Sequence, residues 1–381
     1  MFNMDKKNDK LRLFFVGDFY SKNIDQVRFS PELESIIRAC DIAFCNFEAP
    51  IETEAMPMEK VGPSLSQSRY APEFLEEKGF NIIGLANNHI ADFGQEGISQ
   101  TISSFQQSLL LGVGNFEQAY SLKTKKIGNQ KIGFLAFSHY EFGVLDNCLD
   151  DETLGCAWIN HPCVDNLIQE SKKEVDLLIL IAHAGIEDIE LPLPEWRERY
   201  RYLINLGVDA IIGMHPHVPQ GWELVDGKPV FYSLGNFCFD MYSDTPLWNN
   251  GLAVVLDYVD DKLVNFNVLN LLNENGTIKV DNNSDINEHV RNLSVLLSDN
   301  VLYMSSIDNL ILNLWNNVYE RYLFIGTNGL TLKYGLKFFL KRLYGSFFRK
   351  KGMPLFLLNM FRCESHRWLV QRALILKNVI K

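Results

Sequence analysis

Histidines, carboxylates and an amide follow the apolar runs of this sequence, at the position where each run ends. These polar residues are Asp18, Glu48, Asn88 with His89, His183, and the pair His215 and His217. Imidazole nitrogens with carboxylate and amide oxygens, in the absence of thiolate, are the ligands of Mn, Fe or Zn rather than of a soft metal. If the C-terminal ends of these apolar runs meet in one cleft, the sequence predicts a metal site in that cleft.

The pair in "GMHPHV", His215 and His217, has an ordinary explanation when it is considered alone. A His-x-His sequence is more often a surface pair, or a pair satisfied by other hydrogen bonds, than a metal site. Residues i and i+2 of an extended segment project to the same side, and Pro216 biases His215 toward extended backbone. We therefore expect both imidazoles to point into one cleft and to be divided between two metals. Each of the other polar residues, taken alone, could belong to an ordinary turn or helix cap. The prediction depends on the recurrence of such residues at the ends of five apolar runs.

Strand-like runs alternate with helical stretches through the first two-thirds of the chain. The predicted strands are 11–17, 41–46, 81–86, 131–137, 176–182, 208–213 and 229–234, and the predicted helices are 31–39, 71–78, 95–109, 161–173 and 194–206. This alternation predicts an α/β fold with much parallel sheet, in which ligands bind beyond the carboxyl ends of the strands. Two further runs, 251–258 and 263–271, predict an antiparallel pair at the sheet edge.

Composition and length limit the class of protein. The chain has 381 residues, of which 47% are hydrophobic and 22% charged, so it is globular and has room for a large core. Its polar start predicts no secretory signal, and no apolar run reaches the roughly 18–20 residues of a membrane-spanning helix. The seven cysteines include no C-x2-C pair and predict reduced thiols. We therefore expect a cytoplasmic protein.

The last hundred residues differ from the rest of the sequence. Helical periodicity replaces the alternation from about residue 282, so we predict domains over 1–280 and 281–381. Residues 331–381 carry 12 Lys and Arg and one acid, although the whole chain has a net charge of −11. Two interpretations stay open: peripheral contact with the anionic inner face of a membrane, or a helical lobe that faces the acidic body. No nucleic-acid-binding motif accompanies the charge, so no nucleic-acid partner is predicted.

Six motifs, in this order, resemble those of the CapA family, which is associated with capsule and poly-γ-glutamate biosynthesis. They are "FVGD" (15–18), "NFE" (46–48), "LANNHIADFG" (85–94), "HAGIE" (183–187), "GMHPHVPQ" (213–220) and "FYSLGNF" (231–237). The resemblance covers about residues 11–240. It implies a calcineurin-like metallophosphatase fold, a four-layer α/β/β/α sandwich to which the C-terminal helical extension is added.

The resemblance also implies two divalent metal ions, Mn, Fe or Zn, at the strand ends. The implied ligands are Asp18 and His217 for one metal, Asn88, His183 and His215 for the other, and Glu48 as the bridging carboxylate. Two positions depart from the wider phosphoesterase pattern. Tyr20 stands where Asp-x-His has its histidine, and Ser21 stands where a bridging Asp is usual.

Four further residues are predicted to act beside the metal ligands, and of these His89 takes its role from the same resemblance. His89 matches the histidine that acts as general acid or stabilises the transition state. Asp92, three residues later, is placed to orient the His89 imidazole. Glu187 and Asn236 are expected to support the metal ligands.

The predicted function is that of a metal-dependent hydrolase with a small-molecule or polymer substrate linked to capsule or poly-γ-glutamate-type polymers. Cleavage of a phosphoester and of a γ-glutamyl amide both need a Lewis acid, a water and a proton donor, so these residues do not choose the bond. One alternative is a cytosolic nucleotide or sugar-phosphate phosphoesterase. Another is a scaffold without catalytic activity in a membrane-bound polymer-synthesis complex.

Overall fold

A computed structural model of the chain describes residues 10–149, 152–282, 284–321, 323 and 352–379. The chain divides into two compact units, Met1–Met58 with Ser64–Ser298, and Glu59–Pro63 with Asp299–Lys381. The helix predicted from about residue 282 thus belongs to the first unit, and the domain boundary near 280 stays a prediction. Of the basic tail, residues 331–351 lie outside the described residues.

The secondary structure of the described residues begins with a long strand. The strands are β1 (Lys10–Tyr20), β2 (Arg28–Phe29), β3 (Ile42–Phe47), β4 (Ile82–Gly84), β5 (Leu109–Leu111), β6 (Val113–Gly114), β7 (Lys123–Ile127), β8 (Gln130–Ser138), β9 (Val144–Leu145), β10 (Gly155–Ala157), β11 (Leu177–His183), β12 (Ala210–Met214), β13 (Trp222–Val225), β14 (Lys228–Phe231), β15 (Asn236–Phe239), β16 (Asn250–Val259), β17 (Lys262–Glu274) and β18 (Thr277–Val280). The helices are α1 (Pro31–Arg38), α2 (Ala71–Glu77), α3 (Gly94–Ser104), α4 (Phe116–Ala119), α5 (Val164–Glu174), α6 (Pro194–Leu206), α7 (Ser284–Ser298), α8 (Asn300–Leu314), α9 (Gly352–Arg362) and α10 (Glu364–Val379).

The first sheet has the order β2-β18-β17-β16-β1-β3-β4-β5, and β15 pairs with the end of β1. Strands β1, β3, β4 and β5 are parallel, as the alternation predicts. The antiparallel pair β16–β17 is also present, but its predicted place at the edge is wrong, because β18 and β2 lie beyond it. Asn275 and Gly276, both with positive φ, form the two-residue turn that returns the chain as β18.

The second sheet has the order β13-β14-β12-β11-β8-β7, with β8, β11, β12 and β14 parallel. Along β11, Leu177, Ile179 and Ile181 belong to the core that the two sheets share. Leu178 and Leu180 are equally buried on the opposite face, where helices α5 and α6 cover the sheet. Helices α1 and α2 add apolar residues to the core around the first sheet. The predicted α/β sandwich is confirmed.

The second unit is helical, which confirms the predicted helical C-terminal region. The Asp299 side chain caps α8 by accepting hydrogen bonds from the backbone N–H groups of Val301 and Leu302, both at 3.0 Å. Helix α8 continues into a π-helical turn over Trp315–Tyr319, and α10 packs against α8. Within the part of the chain that the structure describes, no helix has both the length and the apolar character needed to cross a bilayer.

Candidate metal centre

The carboxyl ends of strands from both sheets bring the predicted ligands together. Asp18 lies near the end of β1, Glu48 follows β3 directly, His183 is the last residue of β11, and His215 follows β12. All four are buried, the most exposed being His215 at 3%. The backbone N–H of His215 donates to Asp18 Oδ2 at 3.2 Å, which joins the two sheets at this point.

Two glycines allow the ends of β1 and β12 to lie close to the segment that precedes β15. A Cβ at Gly17 would lie 1.8 Å from the carbonyl oxygen of Gly235, to which the backbone N–H of Asp18 donates at 3.0 Å. A Cβ at Gly213 would lie 2.1 Å from the carbonyl oxygen of Tyr232. Only glycine fits at these positions, because the segment before β15 passes against both strand ends. The glycines of "FVGD" and "GMHPH" thus place the predicted ligands that follow them.

His183 is the centre of one group of donor atoms. Its Nε2 lies 2.9 Å from Asn88 Oδ1, 3.1 Å from His215 Nδ1 and 3.6 Å from Glu48 Oε1. Its Nδ1 lies 3.7 Å from Asp18 Oδ1. Four oxygen or nitrogen donors therefore converge on one fully buried imidazole.

His217 lies on the other side of Asp18. Its Nδ1 is 3.5 Å from Asp18 Oδ2 and 2.9 Å from Asn236 Oδ1. The Asn236 amide nitrogen donates to the carbonyl of Trp248 at 3.0 Å, so the amide oxygen faces His217 and accepts its Nδ1–H. This bond leaves His217 Nε2 with the lone pair that a metal requires.

His89 is held by a carboxylate that is itself fixed. His89 Nδ1 and Asp92 Oδ2 are 2.7 Å apart, and the same oxygen accepts a hydrogen bond from the backbone N–H of Leu65 at 2.7 Å. The backbone N–H of His89 donates to Asn87 Oδ1 at 3.1 Å. The Nδ1 of His89 is therefore committed to Asp92.

Burial favours the neutral form of the carboxyl and imidazole groups at the centre. Burial raises the pKa of Asp18, and burial together with the Asp18 carboxylate raises the pKa of Glu48 well above its usual range. Burial, followed by the neighbouring imidazoles, lowers the pKa of His183 and His215 well below the usual value. Both histidines are therefore neutral near pH 7, which is the form of imidazole that binds metals.

The donor set fits a divalent cation. Glu48 Oε1 is buried and has no hydrogen-bond partner among the described residues, although it lies 3.6 Å from His183 Nε2. A buried carboxylate oxygen without a partner is costly, and a cation would compensate for that cost. The atoms of Asp18, Glu48 and His183 lie within 4.8 Å of one another, as the ligands of one ion must. Oxygen and neutral imidazole donors suit Mn, Fe or Zn.

The backbone around the two histidines differs from the extended segment that the sequence predicts. His215 has φ 98° and His217 has φ 59°, both in the region that non-glycine residues rarely adopt. The expectation of an i, i+2 pair on one side of an extended segment is therefore wrong. Each such conformation costs about 1–3 kcal/mol, and such strain is concentrated at functional sites. The turn separates the two imidazoles, whose ring centroids are 6.0 Å apart.

The two departures from the phosphoesterase pattern have defined positions. Tyr20 is buried and stacks on Phe239 with ring centroids 5.0 Å apart, and burial raises the pKa of Tyr20 to about 12. The Ser21 hydroxyl lies 3.5 Å from Asp240 Oδ2. Glu187 is exposed after β11, and its charge contributes to the raised pKa of Glu48.

The sequence predictions missed two residues at the centre. Asn46 donates through Nδ2 to Asp18 Oδ1 at 2.8 Å and to Glu48 Oε2 at 2.7 Å, so it holds both carboxylates. His139 is buried, and its ring centroid lies 4.4 Å from that of His215. Both carried a signal: Asn46 shares its side of the strand with Glu48, and His139 follows the end of β8 as the predicted ligands follow theirs.

Replacement of Asn236 by alanine tests how His217 is oriented. We expect metal affinity to fall about 10–100-fold, because the His217 ring loses the acceptor that fixes its tautomer. Asn236→Asp keeps an acceptor at this position and should retain more affinity than Asn236→Ala. The measurement is metal titration by calorimetry. Equal losses in the two variants would show that the acceptor has no such role.

The chain is similar in sequence to one protein family and to two of its relatives in Bacillus. The family model for the bacterial capsule synthesis protein PGA_cap matches residues 12–241. The PGA biosynthesis protein CapA of Bacillus subtilis (strain 168) is 30% identical over 252 residues, which are 61% of this chain and 64% of that protein. The capsule biosynthesis protein CapA of Bacillus anthracis is 27% identical over 253 residues, 62% of this chain and 61% of that protein. The matched region is thus less than two-thirds of either relative.

A likeness to a solved structure is weaker. The crystal structure of the calcineurin-like phosphoesterase YfkN from Bacillus subtilis is 14% identical, with a TM-score of 0.38, over 72% of this chain and 88% of that chain. At such a TM-score, this structure does not bear on the function of the chain.

Proposed function

Because this chain belongs to the bacterial capsule synthesis protein family PGA_cap, we propose that it is a divalent-metal-dependent hydrolase of capsule or poly-γ-glutamate-type polymer metabolism. The observation that carries the proposal is the buried Glu48 Oε1, which has no hydrogen-bond partner among the described residues and lies 3.6 Å from His183 Nε2. The names of the two relatives connect the family to capsule and PGA biosynthesis. The substrate is a small molecule or a polymer that carries a phosphoester or a γ-glutamyl amide.

The residues of the centre have separate tasks in this proposal. Asn88, His183 and His215 would hold one cation, Asp18 and His217 the other, and Glu48 would serve both. Bound divalent cations supply Lewis acidity toward the electrophile and make water a better nucleophile at neutral pH. Asn46 keeps Asp18 and Glu48 in position through its two hydrogen bonds.

His89 moves the proton in this proposal. Its Nδ1 is bound to Asp92, so its Nε2 gives a proton to the leaving group. The His89 side chain is 9% exposed, whereas the side chain of His183 is fully buried. A substrate therefore has more access to His89 than to His183. The cytoplasmic location, the absence of a nucleic-acid partner and the membrane contact of residues 331–381 stay predictions.

An activity screen tests the function. Full-length protein loaded with Mn, Fe or Zn should hydrolyse either phosphoesters or γ-glutamyl peptides, and His217→Ala should lose this activity. His289→Ala is the matched control, because His289 is a half-exposed histidine paired with Glu190 at the surface. Purified protein that binds less than about one metal per chain, and whose stability is unchanged by chelation, would contradict the proposal and favour a scaffold.

A further inference from the structure

A polar cavity lies beside the candidate metal centre, at the same carboxyl edge of the first sheet. Its volume is about 550 Å³, and its walls are the loop after β1, the end of β15 and the β17–β18 turn. This volume lies in the range of roughly 300–1,000 Å³ that is usual for small-molecule sites. We propose that the cavity binds an uncharged saccharide unit of the substrate. The inference rests on the proposed hydrolase function and adds the class of substrate.

Aromatic residues connect the cavity to the metal centre. Phe239 lines the cavity, and its ring centroid is 4.7 Å from that of His217. Trp248 packs against both rings at 5.3 Å, and its carbonyl accepts the hydrogen bond from Asn236. The next residue, Asn249, lines the cavity. The Phe239 ring therefore forms the wall between the cavity and His217.

Side-chain amides dominate the polar lining. The five carboxamides are those of Asn23, Gln26, Asn249, Asn273 and Asn275. Within the described ranges, the side chains of Gln26, Asn249 and Asn275 make no hydrogen bond to another residue. Each carboxamide offers an acceptor and two donor hydrogens. Sugar hydroxyls also donate and accept hydrogen bonds, so neighbouring hydroxyls of a sugar can pair with these side-chain amides.

The backbone that carries these amides is held in place. Asn275 (φ 53°) and Gly276 (φ 87°) form a tight turn, and the Gly276 N–H donates to Asn273 Oδ1 at 2.9 Å. On the opposite wall, Asp240 Oδ2 accepts hydrogen bonds from the backbone N–H and the side-chain amide of Asn23 at 3.1 and 2.9 Å. A preorganised lining reduces the entropy that a ligand must lose when it orders the site.

The charge of the lining disfavours a polyanion. Its ionisable groups include the carboxylates of Asp240 and Glu274, and none of the described lining residues is Lys or Arg. Lys279 pairs with Glu274 at 2.6 Å and is not part of the lining. A chain of free carboxylates gains no ion pair in this cavity, whereas sugar hydroxyls can donate to both acids. Tyr242, 89% exposed at the rim, offers a ring against which the apolar face of a sugar can stack.

Direct binding to metal-free, full-length protein tests the inference. The probes are chitotriose, maltotriose and cellotriose, with tri-γ-glutamate as the anionic counterpart, measured by calorimetry and ligand-observed NMR. We expect at least one trisaccharide to bind with a millimolar or lower Kd, and the double variant Gln26→Ala/Asn249→Ala to weaken that binding at least tenfold. Gln107→Ala is the matched control, because this exposed glutamine precedes β5 at the opposite edge of the same sheet.

Three results would overturn the inference. They are the absence of binding by every trisaccharide, tighter binding of tri-γ-glutamate than of any trisaccharide, and unchanged binding by the double variant. Because binding is measured without metal, it does not depend on hydrolysis. Protein that binds a trisaccharide but hydrolyses nothing contradicts only the proposed function, and an active hydrolase that binds no trisaccharide contradicts only the saccharide site.

Discussion

Replacing His183 by alanine is expected to remove the cation that Asn88, His183 and His215 would hold and, with it, hydrolysis. His183 Nε2 lies within 3.6 Å of donor atoms from Asn88, His215 and Glu48, so its removal takes away the atom that the other donors surround. Loss of an outer-shell partner alone costs about 10–100-fold in metal affinity, so loss of a ligand should cost at least about 100-fold. Metal analysis of the purified variant, together with a metal titration, checks this result.

Thermal unfolding separates a lost ligand from a damaged fold. A cation that binds only the folded state stabilises it, so chelation should lower the Tm of the wild-type protein. Chelation should lower the Tm of His183→Ala by less than it lowers that of the wild type, whereas His289→Ala should behave as the wild type does. His183→Asn fills part of the space and guards against a variant that merely fails to fold. If His183→Ala keeps the wild-type metal content, the predicted centre is in the wrong place.

Replacing His89 by alanine is expected to lower kcat about 10²–10⁴-fold and to leave the metal content unchanged. This range is the usual contribution of a positioned general acid or base. His89 Nδ1 is paired with Asp92 at 2.7 Å and is not part of the donor group around His183, so metal binding should not depend on it. Steady-state kinetics and metal analysis of the same preparation check both parts. Parallel loss of metal and activity would make His89 a ligand rather than a proton donor.

Asp92 is a positioning residue in this account, and its variant needs a different readout. Asp92→Asn should change the pH dependence of kcat, because the amide no longer stabilises the protonated imidazole of His89. A purely structural role through the hydrogen bond from Leu65 would lower activity without moving the pH profile. The pH–rate profile of Asp92→Asn against wild type distinguishes the two roles.

The sequence predicted the strands more accurately than their places in the sheets. Apolar runs of about seven residues correctly marked β8 and β11, because burial on both faces leaves a continuous apolar signal. The run 263–271 gave no indication that β18 lies beyond it, although Asn275-Gly276 is a recognised hairpin sequence. Short strands such as β6 and β9 are too brief for any periodicity to identify them.

The sequence by itself determined the fold class and the polar residues that stand at the strand ends. Residue types and apolar runs are local properties, and they were enough to predict an α/β fold and to select Asp18, Glu48 and His183. Only the tertiary structure decided which atoms face one another. The positive φ of His215 and His217, the double hydrogen bond of Asn46, and the amide-lined cavity all depend on segments distant in sequence that pack together. No periodicity encodes such contacts, because the order of the strands and the close approach of Gly17 to Gly235 arise only when the sheets assemble.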